Sequence, residues 1–299
     1  MSKVSRRDFF RRSATLGMTA ALAGPLAELC CSADERGKAR MRLGLCTYLW
    51  GQDWDLPTIL ANCRKSGVLG VELRTEHKHG VESTSSPRQR TEVKKRFAAS
   101  PVAFVGMGTN ECFDNPDPAR LRQSIEAAKK FVRLSHDCGG SGVKVKPNDF
   151  HKGVPRERTI EQIGTSLNGL ARFAVDFGQQ IRLEVHGSCC ELTTIREIMD
   201  VADHPNVGVC WNSNPQDLLG QGLEYNFNLV KNRLGATTHI RELDSTGYPY
   251  RQLIDLLVKA NYTGWLLLEC SSKPKDRVAV MAAQQALFER MLAAASRGE

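Results

Sequence analysis

The chain has no Cys-x-x-Cys pair, no long basic run and no apolar run long enough to span a bilayer. The missing cysteine pairs argue against a zinc ribbon, and a transmembrane helix needs about 20 apolar residues. The net charge is +8, but five of the Lys/Arg and two of the Asp/Glu lie in residues 1–33, which leaves +5 on the remainder. A mild excess without a basic cluster gives no indication of nucleic acid binding.

A glycine-rich phosphate loop is also missing. The Gly106-Met107-Gly108 stretch lies inside a predicted strand and no helix begins after it, so it is not a dinucleotide fingerprint. Ten cysteines are present, and their spacing does not argue for a disulfide framework. Three of them lie in apolar strand-like runs, where a free thiol acts as a small hydrophobe: Cys46, Cys210 and Cys270.

Residues 1–39 have the pattern of an export signal followed by a short linker. A twin-arginine motif, Arg6-Arg7 before Phe9-Phe10, precedes an uncharged stretch over 13–27 that is too short to span a membrane. A basic start, a short apolar middle and small residues near Ala33 predict removal of this segment after export to the periplasm. A lipid anchor at Cys30 or Cys31 and an uncleaved amphipathic helix are the alternatives.

Eight short apolar runs alternate with eight segments of helical periodicity. The runs are rich in β-branched residues, which is typical of strands buried on both faces. The predicted strands are 42–50, 69–75, 102–109, 142–147, 180–187, 206–214, 236–243 and 265–270. The predicted helices are 56–66, 89–99, 118–138, 159–178, 193–202, 227–234, 250–260 and 276–295.

This strict alternation predicts a parallel sheet with right-handed crossovers. Eight such units close into a (β/α)8 TIM barrel, an α/β fold of about 250 residues, and we assign it to residues 40–299. An open doubly wound sheet is the rival fold, but it usually has fewer strands and a glycine-rich first turn. Asp117-Pro118 predicts a helix start. Glycines stand where helices should end: Gly67, Gly139, Gly178, Gly235 and Gly264.

Four predicted strands end in polar residues that can bind a cation: Glu184, Asn212, His239 and Glu269. In a closed parallel barrel the carboxyl ends of the strands converge on one small volume, and period-two alternation can place these four side chains on the inner face. Two carboxylates brought together there repel each other without a cation or a shared proton. We therefore predict a divalent metal site. The alternative is a set of buried ion pairs, Glu184 with Arg241 and Glu269 with Lys144 or Lys146.

The chain resembles the xylose-isomerase-like TIM-barrel family of sugar isomerases, epimerases and type IV apurinic endonucleases. The resemblance covers about residues 41–295. It is carried by Gly70-Val71-Glu72-Leu73-Arg74, by the stretches 183–186, 207–212 and 238–240, and by 261–269, where a tyrosine–glycine turn feeds a strand that closes in glutamate.

This resemblance implies an enzyme that binds Mn²⁺, or else Mg²⁺, Co²⁺ or Zn²⁺, through Glu184, Asn212, His239 and Glu269. It also implies that Glu184 and Glu269 form the acid–base pair that moves a proton next to a sugar carbonyl. The chain departs from the family at Asn212, where the family has aspartate, and at Pro215, where it has histidine. A lyase or hydratase acting on 3-keto-glycosides and a non-catalytic sugar-binding barrel therefore stay open. The three-zinc endonuclease is disfavoured because no histidine follows His239.

Further polar residues at the strand ends are predicted to contact the substrate, a small sugar or sugar derivative: Glu72, His77, His79, Lys146, His186, Trp211 and Arg241. For each a structural role is the alternative, namely a solvated loop for His77 and His79, core packing for Trp211 and an ion pair for Lys146. We expect no nucleic acid partner and no membrane span, and the sequence leaves a homo-oligomer open.

Overall fold

A computed structural model describes residues 41–298, and the predicted barrel is confirmed. Eight parallel strands form one sheet in the order β6-β5-β4-β3-β2-β1-β8-β7. Their bounds are β1 Arg42–Cys46, β2 Gly70–Arg74, β3 Ala103–Cys112, β4 Gly142–Lys146, β5 Gln180–Glu184, β6 Val207–Cys210, β7 Thr237–Ile240 and β8 Trp265–Leu268. The export signal, its linker and the two cysteines proposed as lipid anchors lie outside the described residues.

One helix follows each strand, as predicted. The helices are α1 Leu56–Ser66, α2 Pro87–Ala98, α3 Pro118–Cys138, α4 Arg156–Val175, α5 Leu192–Val201, α6 Gly222–Val230, α7 Tyr250–Lys259 and α8 Arg277–Arg297. The Asp117 side chain caps α3 by accepting from the backbone N–H of Ala119 at 2.8 Å. Gly67 and Gly139 end their helices in the left-handed conformation, with φ of 76° and 88°.

The helices and strands differ from their predicted bounds mainly in the segments that follow the strands. Helix α6 begins five residues before the predicted start at 227, and Lys231–Arg233 forms a short 3-10 helix instead of its last turn. Strands β5 and β6 are shorter than predicted because short 3-10 helices, Gly187–Cys189 and Pro215–Leu218, occur in the loops that follow. These loops rise from the carboxyl end of the barrel and carry several of the predicted site residues.

The seam between β6 and β7 closes the barrel through isolated bridges. Val209 pairs with Leu234, and Asn212 pairs with His239. The backbone N–H of His239 donates to the Trp211 carbonyl at 2.6 Å, and that of Ser213 donates to the His239 carbonyl at 3.2 Å. Backbone pairing thus holds two of the predicted metal ligands side by side.

The inside of the barrel is partly apolar and partly charged. A small cluster of buried apolar side chains consists of Cys46, Val105, Trp265 and Leu267. Charged side chains are buried with them, among them Arg182, Lys144 and Glu72. The larger apolar core surrounds this sheet and extends to the helices. No helix within residues 41–298 is long and apolar enough to cross a membrane, and the eight cysteines of that region are free thiols.

Candidate functional site

The structure brings the four predicted ligands together around the imidazole of His239. Its Nδ1 lies 3.2 Å from Glu184 Oε1 and 3.5 Å from Glu269 Oε2. The Asn212 Nδ2 donates to the same Glu184 Oε1 at 3.2 Å. The carboxyl ends of β5, β6, β7 and β8 therefore supply one contiguous polar cluster, which we call the His239 cluster.

The other ring nitrogen of His239 meets a different carboxylate. Nε2 lies 3.0 Å from Glu72 Oε1, and both side chains are fully buried. The Cys46 thiol lies 3.8 Å from Glu72 Oε1 and equally far from Glu269 Oε1. Strands β1 and β2 thus enclose the imidazole on the side opposite to Glu184.

Two cations accompany these acids. Lys144 Nζ lies 2.6 Å from Glu184 Oε2 and donates to the Thr109 carbonyl at 3.2 Å. Both side chains are almost fully buried, so this contact is a buried ion pair. An Arg74 nitrogen lies 3.9 Å from Glu269 Oε1. Ion pairs do occur among these groups, but with partners other than those expected, because Lys144 faces Glu184, Arg74 is the cation near Glu269, and Arg241 is exposed.

Burial and neighbouring charges act in opposite directions on the ionisation of this cluster. Burial raises the pKa of Glu184, but Lys144 and the His239 hydrogen bond outweigh it and hold that pKa well below its usual range. Burial lowers the pKa of His239, whereas the ionisable groups around it, Glu269 and Glu72 among them, raise it well above its ordinary value. The balance keeps Glu184 ionised at neutral pH and favours the charged imidazole.

The cluster can hold a divalent cation. The donor atoms of Glu184, His239 and Glu269 lie within 4.8 Å of one another, and carboxylate and imidazole groups suit Mn²⁺, Zn²⁺ and similar ions. Glu184 Oε2 is buried and already lies 2.6 Å from the Lys144 ammonium, so a cation that binds at this oxygen would compete with Lys144. The Asn212 amide would turn its oxygen inward by a rotation of the side chain about its last bond.

Three of the residues predicted to contact substrate are buried in other roles. Glu72 lies beneath His239 rather than at the barrel mouth. His79 accepts from the Val81 backbone at Nδ1, and its Nε2 lies 2.7 Å from the Arg74 carbonyl, so both ring nitrogens stabilise the loop. Trp211 is buried against Phe227, with ring centroids 5.8 Å apart.

The remaining predicted contacts are open to solvent near the carboxyl ends of the strands. Lys146 and His186 are half-buried, and burial lowers the pKa of each. The Nδ1 of His186 is buried without a hydrogen bond. His77 Nδ1 lies 3.1 Å from Thr47 Oγ1, and burial lowers its pKa to about 4. Arg241 is exposed, and its backbone N–H is held by the Tyr250 hydroxyl at 2.8 Å.

Sequence reasoning missed the inner partners of the cluster. Cys46 reads as a small buried hydrophobe and Arg74 as the end of a strand. The alternation of Lys144 and Lys146 along β4 placed both side chains on one face, but no pattern showed that Lys144 would face Glu184. Glu72 stands in the middle of β2, two residues before the strand ends at Arg74. That position is the signal that could have identified a buried role.

Comparison with known proteins gives similarities in sequence and in structure. A family model described as xylose isomerase-like TIM barrel matches residues 60–216. The structure of an L-ribulose 3-epimerase superposes with a TM-score of 0.73 at 16% identity, covering 86% of this chain and 96% of that chain. A 3-keto-D-glucoside 4-epimerase from E. coli superposes with 0.71 at 14%, covering 84% and 100%.

The IOLI protein, in a structure with a zinc atom bound, superposes with a TM-score of 0.71 at 15% identity, covering 85% of this chain and 98% of that chain. No curated protein sequence matches the chain. At such identities, the structural likeness establishes the fold, and the site must be judged on its own residues.

Proposed function

The chain belongs to the xylose isomerase-like TIM barrel family, and from that premise we propose that it is a metal-dependent sugar isomerase or epimerase. The observation that carries this proposal is the convergence of Glu184 and Glu269 on one imidazole nitrogen, at 3.2 and 3.5 Å. Similar structures include an L-ribulose 3-epimerase and a D-psicose 3-epimerase, which supports a sugar as the substrate.

In this proposal, Glu184, Asn212, His239 and Glu269 hold the cation. When bound, a divalent cation acts as a Lewis acid that increases the acidity of a C–H bond next to a carbonyl. Mn²⁺ is our first choice, because a mixed carboxylate, amide and imidazole set suits it. The zinc in the IOLI structure makes Zn²⁺ the first ion to compare.

The two glutamates differ in burial and in their contacts, and we assign them different tasks on that basis. Glu184 contacts Lys144, Asn212 and His239 and is almost fully buried. Glu269 is 14% exposed, with His239 Nδ1 3.5 Å away and an Arg74 nitrogen 3.9 Å away. Glu269 is therefore the better placed to take a proton from a sugar carbon. In an isomerisation Glu269 returns that proton to the neighbouring carbon, whereas an epimerisation also requires Glu184 to deliver a proton on the opposite face. A positioned acid or base contributes about 10²- to 10⁴-fold to rate.

A direct test is exchange of substrate hydrogen with D₂O. Protein loaded with Mn²⁺ should exchange the hydrogen next to the carbonyl of at least one ketose in a panel, and removing the metal with EDTA should stop exchange. Binding of ketoses without any exchange would count against the enzyme assignment.

A second candidate reaction is elimination from a 3-keto-glycoside, which uses the same acidified C–H bond and then expels the aglycone. It is favoured by the similarity to a 3-keto-D-glucoside 4-epimerase. Release of a free aglycone from 3-keto-glycosides, in a reaction that proceeds without epimerisation, would identify this activity.

A sugar-binding barrel without catalysis is the third candidate. The observation that favours it is the Lys144–Glu184 ion pair, since an ammonium already neutralises the carboxylate that a metal would use. Metal analysis of protein purified without chelator separates the candidates: stoichiometric metal supports the enzyme, and metal-free protein that still binds sugars supports the binding module.

The twin-arginine pattern at Arg6-Arg7 leads us to propose export of the chain to the periplasm. The twin-arginine route carries folded proteins, so a metal could be acquired before export. The expectation from the sequence that the protein has no nucleic acid partner stays a prediction.

A further inference from the structure

We propose that Glu72 is a positioning residue, whose carboxylate accepts the Nε2–H of His239 and thereby directs Nδ1 toward Glu184 and Glu269. This inference deepens the proposed function and rests on it, because it assigns which nitrogen of His239 would face the cation. Histidines that bind metals usually donate their other N–H to a carboxylate or carbonyl, which fixes the tautomer and the ring orientation.

The contact between Glu72 and His239 is made by two side chains with no exposure to solvent. Nε2 and Glu72 Oε1 are 3.0 Å apart, and each residue is 0% exposed. In such surroundings an unpaired N–H or carboxylate oxygen would be costly, so the pairing determines how the imidazole is turned.

The barrel interior has room for this carboxylate because the neighbouring strand carries a glycine. A Cβ added at Gly108 on β3 would lie 2.8 Å from Glu72 Oε1 and 3.0 Å from Arg74 Cγ. In the β2–β3 register Glu72 pairs with Gly106 and Arg74 pairs with Gly108, so the Glu72 carboxylate reaches toward Gly108. The absence of a side chain at Gly108 therefore leaves the space that the Glu72 carboxylate occupies.

The two sides of the His239 ring differ in access. The Nδ1 side carries Glu184, Asn212 and the 14% exposed Glu269, so it connects with the barrel mouth. The Nε2 side carries Glu72 and Cys46, both 0% exposed. A cation and a sugar that arrive from solvent reach the Nδ1 side first.

A rival arrangement uses the buried side instead. Cys46, Glu72 and His239 also place donor atoms within 4.8 Å of one another, so a thiophilic ion could be held there with Nε2 as the ligand. That arrangement lies on the side of the ring where Cys46 and Glu72 are both 0% exposed, away from the barrel mouth. The geometry favours the Nδ1 side, and the experiment can tell the two sides apart.

The first test is the affinity for Mn²⁺ by calorimetry of the full folded chain and of E72Q. Loss of such a partner typically weakens metal binding by about 10- to 100-fold, and we expect that increase in Kd. The matched control is E82Q, which removes a carboxylate that holds Thr75 and Glu76 in the loop after β2 but does not contact His239. E82Q should keep the wild-type Kd.

The second test does not depend on measuring metal affinity. In ¹H–¹⁵N spectra of wild-type protein, with and without Mg²⁺ or Zn²⁺, the His239 Nε2–H should be protected from exchange and shifted by its carboxylate acceptor. In E72Q that proton should move. His79, whose ring is held by backbone groups, is an internal reference whose signals should stay in place. Co²⁺-loaded protein should show no thiolate-to-cobalt charge transfer.

The outcomes separate this inference from the proposed function. If wild-type protein binds no metal, the metal-dependent function fails, while the Nε2–H spectrum still reports on Glu72. If wild-type protein binds Mn²⁺ and E72Q binds it equally well with an unchanged His239 signal, the positioning role of Glu72 is wrong. A thiolate–cobalt band would place the ion on the Cys46 side and overturn it as well.

Discussion

Lys144 Nζ lies 2.6 Å from Glu184 Oε2 inside the barrel, where the two side chains are 1% and 2% exposed. Burial would lower the pKa of Lys144, but Glu184 raises it above the ordinary value, so the ammonium stays charged. Any divalent cation at Glu184 must compete with this ammonium for the carboxylate. We expect the relative strength of binding of these two cations to the Glu184 carboxylate to determine whether the barrel holds a metal.

Replacing Lys144 by methionine should make the fold depend on metal. Removing one partner of a buried ion pair typically costs about 3–5 kcal/mol, and we expect a loss of this order in EDTA. A cation at Glu184 should offset part of it, since a ligand at 100 times its Kd stabilises by about 2.7 kcal/mol. Urea unfolding in EDTA and in MnCl₂ measures both values.

The matched control for that experiment is K129M on α3. Lys129 pairs with Glu126 at 2.7 Å, but both side chains are partly exposed, and exposed pairs contribute about 0–1 kcal/mol. An equal loss of stability for K144M in EDTA and in MnCl₂ would show that no cation takes the place of the ammonium.

Asn212→Asp should tighten Mn²⁺ binding and weaken the metal-free fold. In the metal-free protein the new carboxylate would face Glu184 Oε1 at the 3.2 Å now bridged by an amide N–H, which is repulsive. With metal, an anionic ligand replaces a neutral one, and we expect roughly a 10-fold lower Kd, about 1.4 kcal/mol. Calorimetry and thermal unfolding measure the two effects, with N115D as a control away from the cluster. Unchanged affinity would mean that residue 212 is not a ligand.

Glu269→Gln should abolish turnover and leave the fold intact. Glutamine has the same shape, and Glu269 is partly exposed, with His239 Nδ1 at 3.5 Å and Arg74 at 3.9 Å, so the chain should still fold. Loss of a positioned acid or base should lower the rate of hydrogen exchange into D₂O by about 100-fold or more. The control E289Q changes an exposed acid on α8. Wild-type exchange in E269Q would remove Glu269 from the mechanism.

Asp217 should make stability fall as pH rises toward neutral. Burial raises its pKa from 3.8 to about 7, despite a hydrogen bond from the Tyr248 hydroxyl at 2.6 Å. A pKa raised on folding favours the protonated folded state. The stabilisation that Asp217 contributes to folding is therefore complete below about pH 4 and is lost as pH rises through about 7.

The comparison that isolates Asp217 is wild type against D217N across that pH range. The free energy of unfolding of wild type, relative to D217N, should decrease between about pH 4 and pH 7 and then level off. A difference that stays constant with pH would show that Asp217 ionises in the folded protein as it does in the unfolded chain.

Changing Arg6 and Arg7 together to lysine should retain the protein in the cytoplasm. The twin-arginine pair is what the export route is expected to read, and lysine keeps the charge without the motif. Fractionation of cells that express wild type and the double variant measures the distribution. A periplasmic double variant would refute the signal assignment.

The convergence of the four proposed ligands could be predicted because each one stands at the end of a recognisable strand. Glu184, Asn212, His239 and Glu269 follow apolar β-branched runs, and a parallel barrel brings such ends together whatever the details of packing. The bridge between Asn212 and His239 follows from the same register.

The partners of those residues could not be predicted, because alternation along one strand does not show which side chains of other strands lie at the same height. Alternation shows which face a side chain is on, but the stagger between strands determines which side chains share a height. Lys144 therefore reached Glu184 rather than Glu269. Glu72 and His79 were expected to contact a sugar, yet one lies beneath His239 and the other is bonded to loop backbone.

Anomalous diffraction from a crystal soaked in MnCl₂ tests the central claim most directly. The account predicts a manganese peak within bonding distance of Glu184, His239 Nδ1 and Glu269, with the Lys144 ammonium displaced from Glu184. A fully soaked crystal with no peak at these side chains and with the Lys144–Glu184 ion pair intact would contradict it.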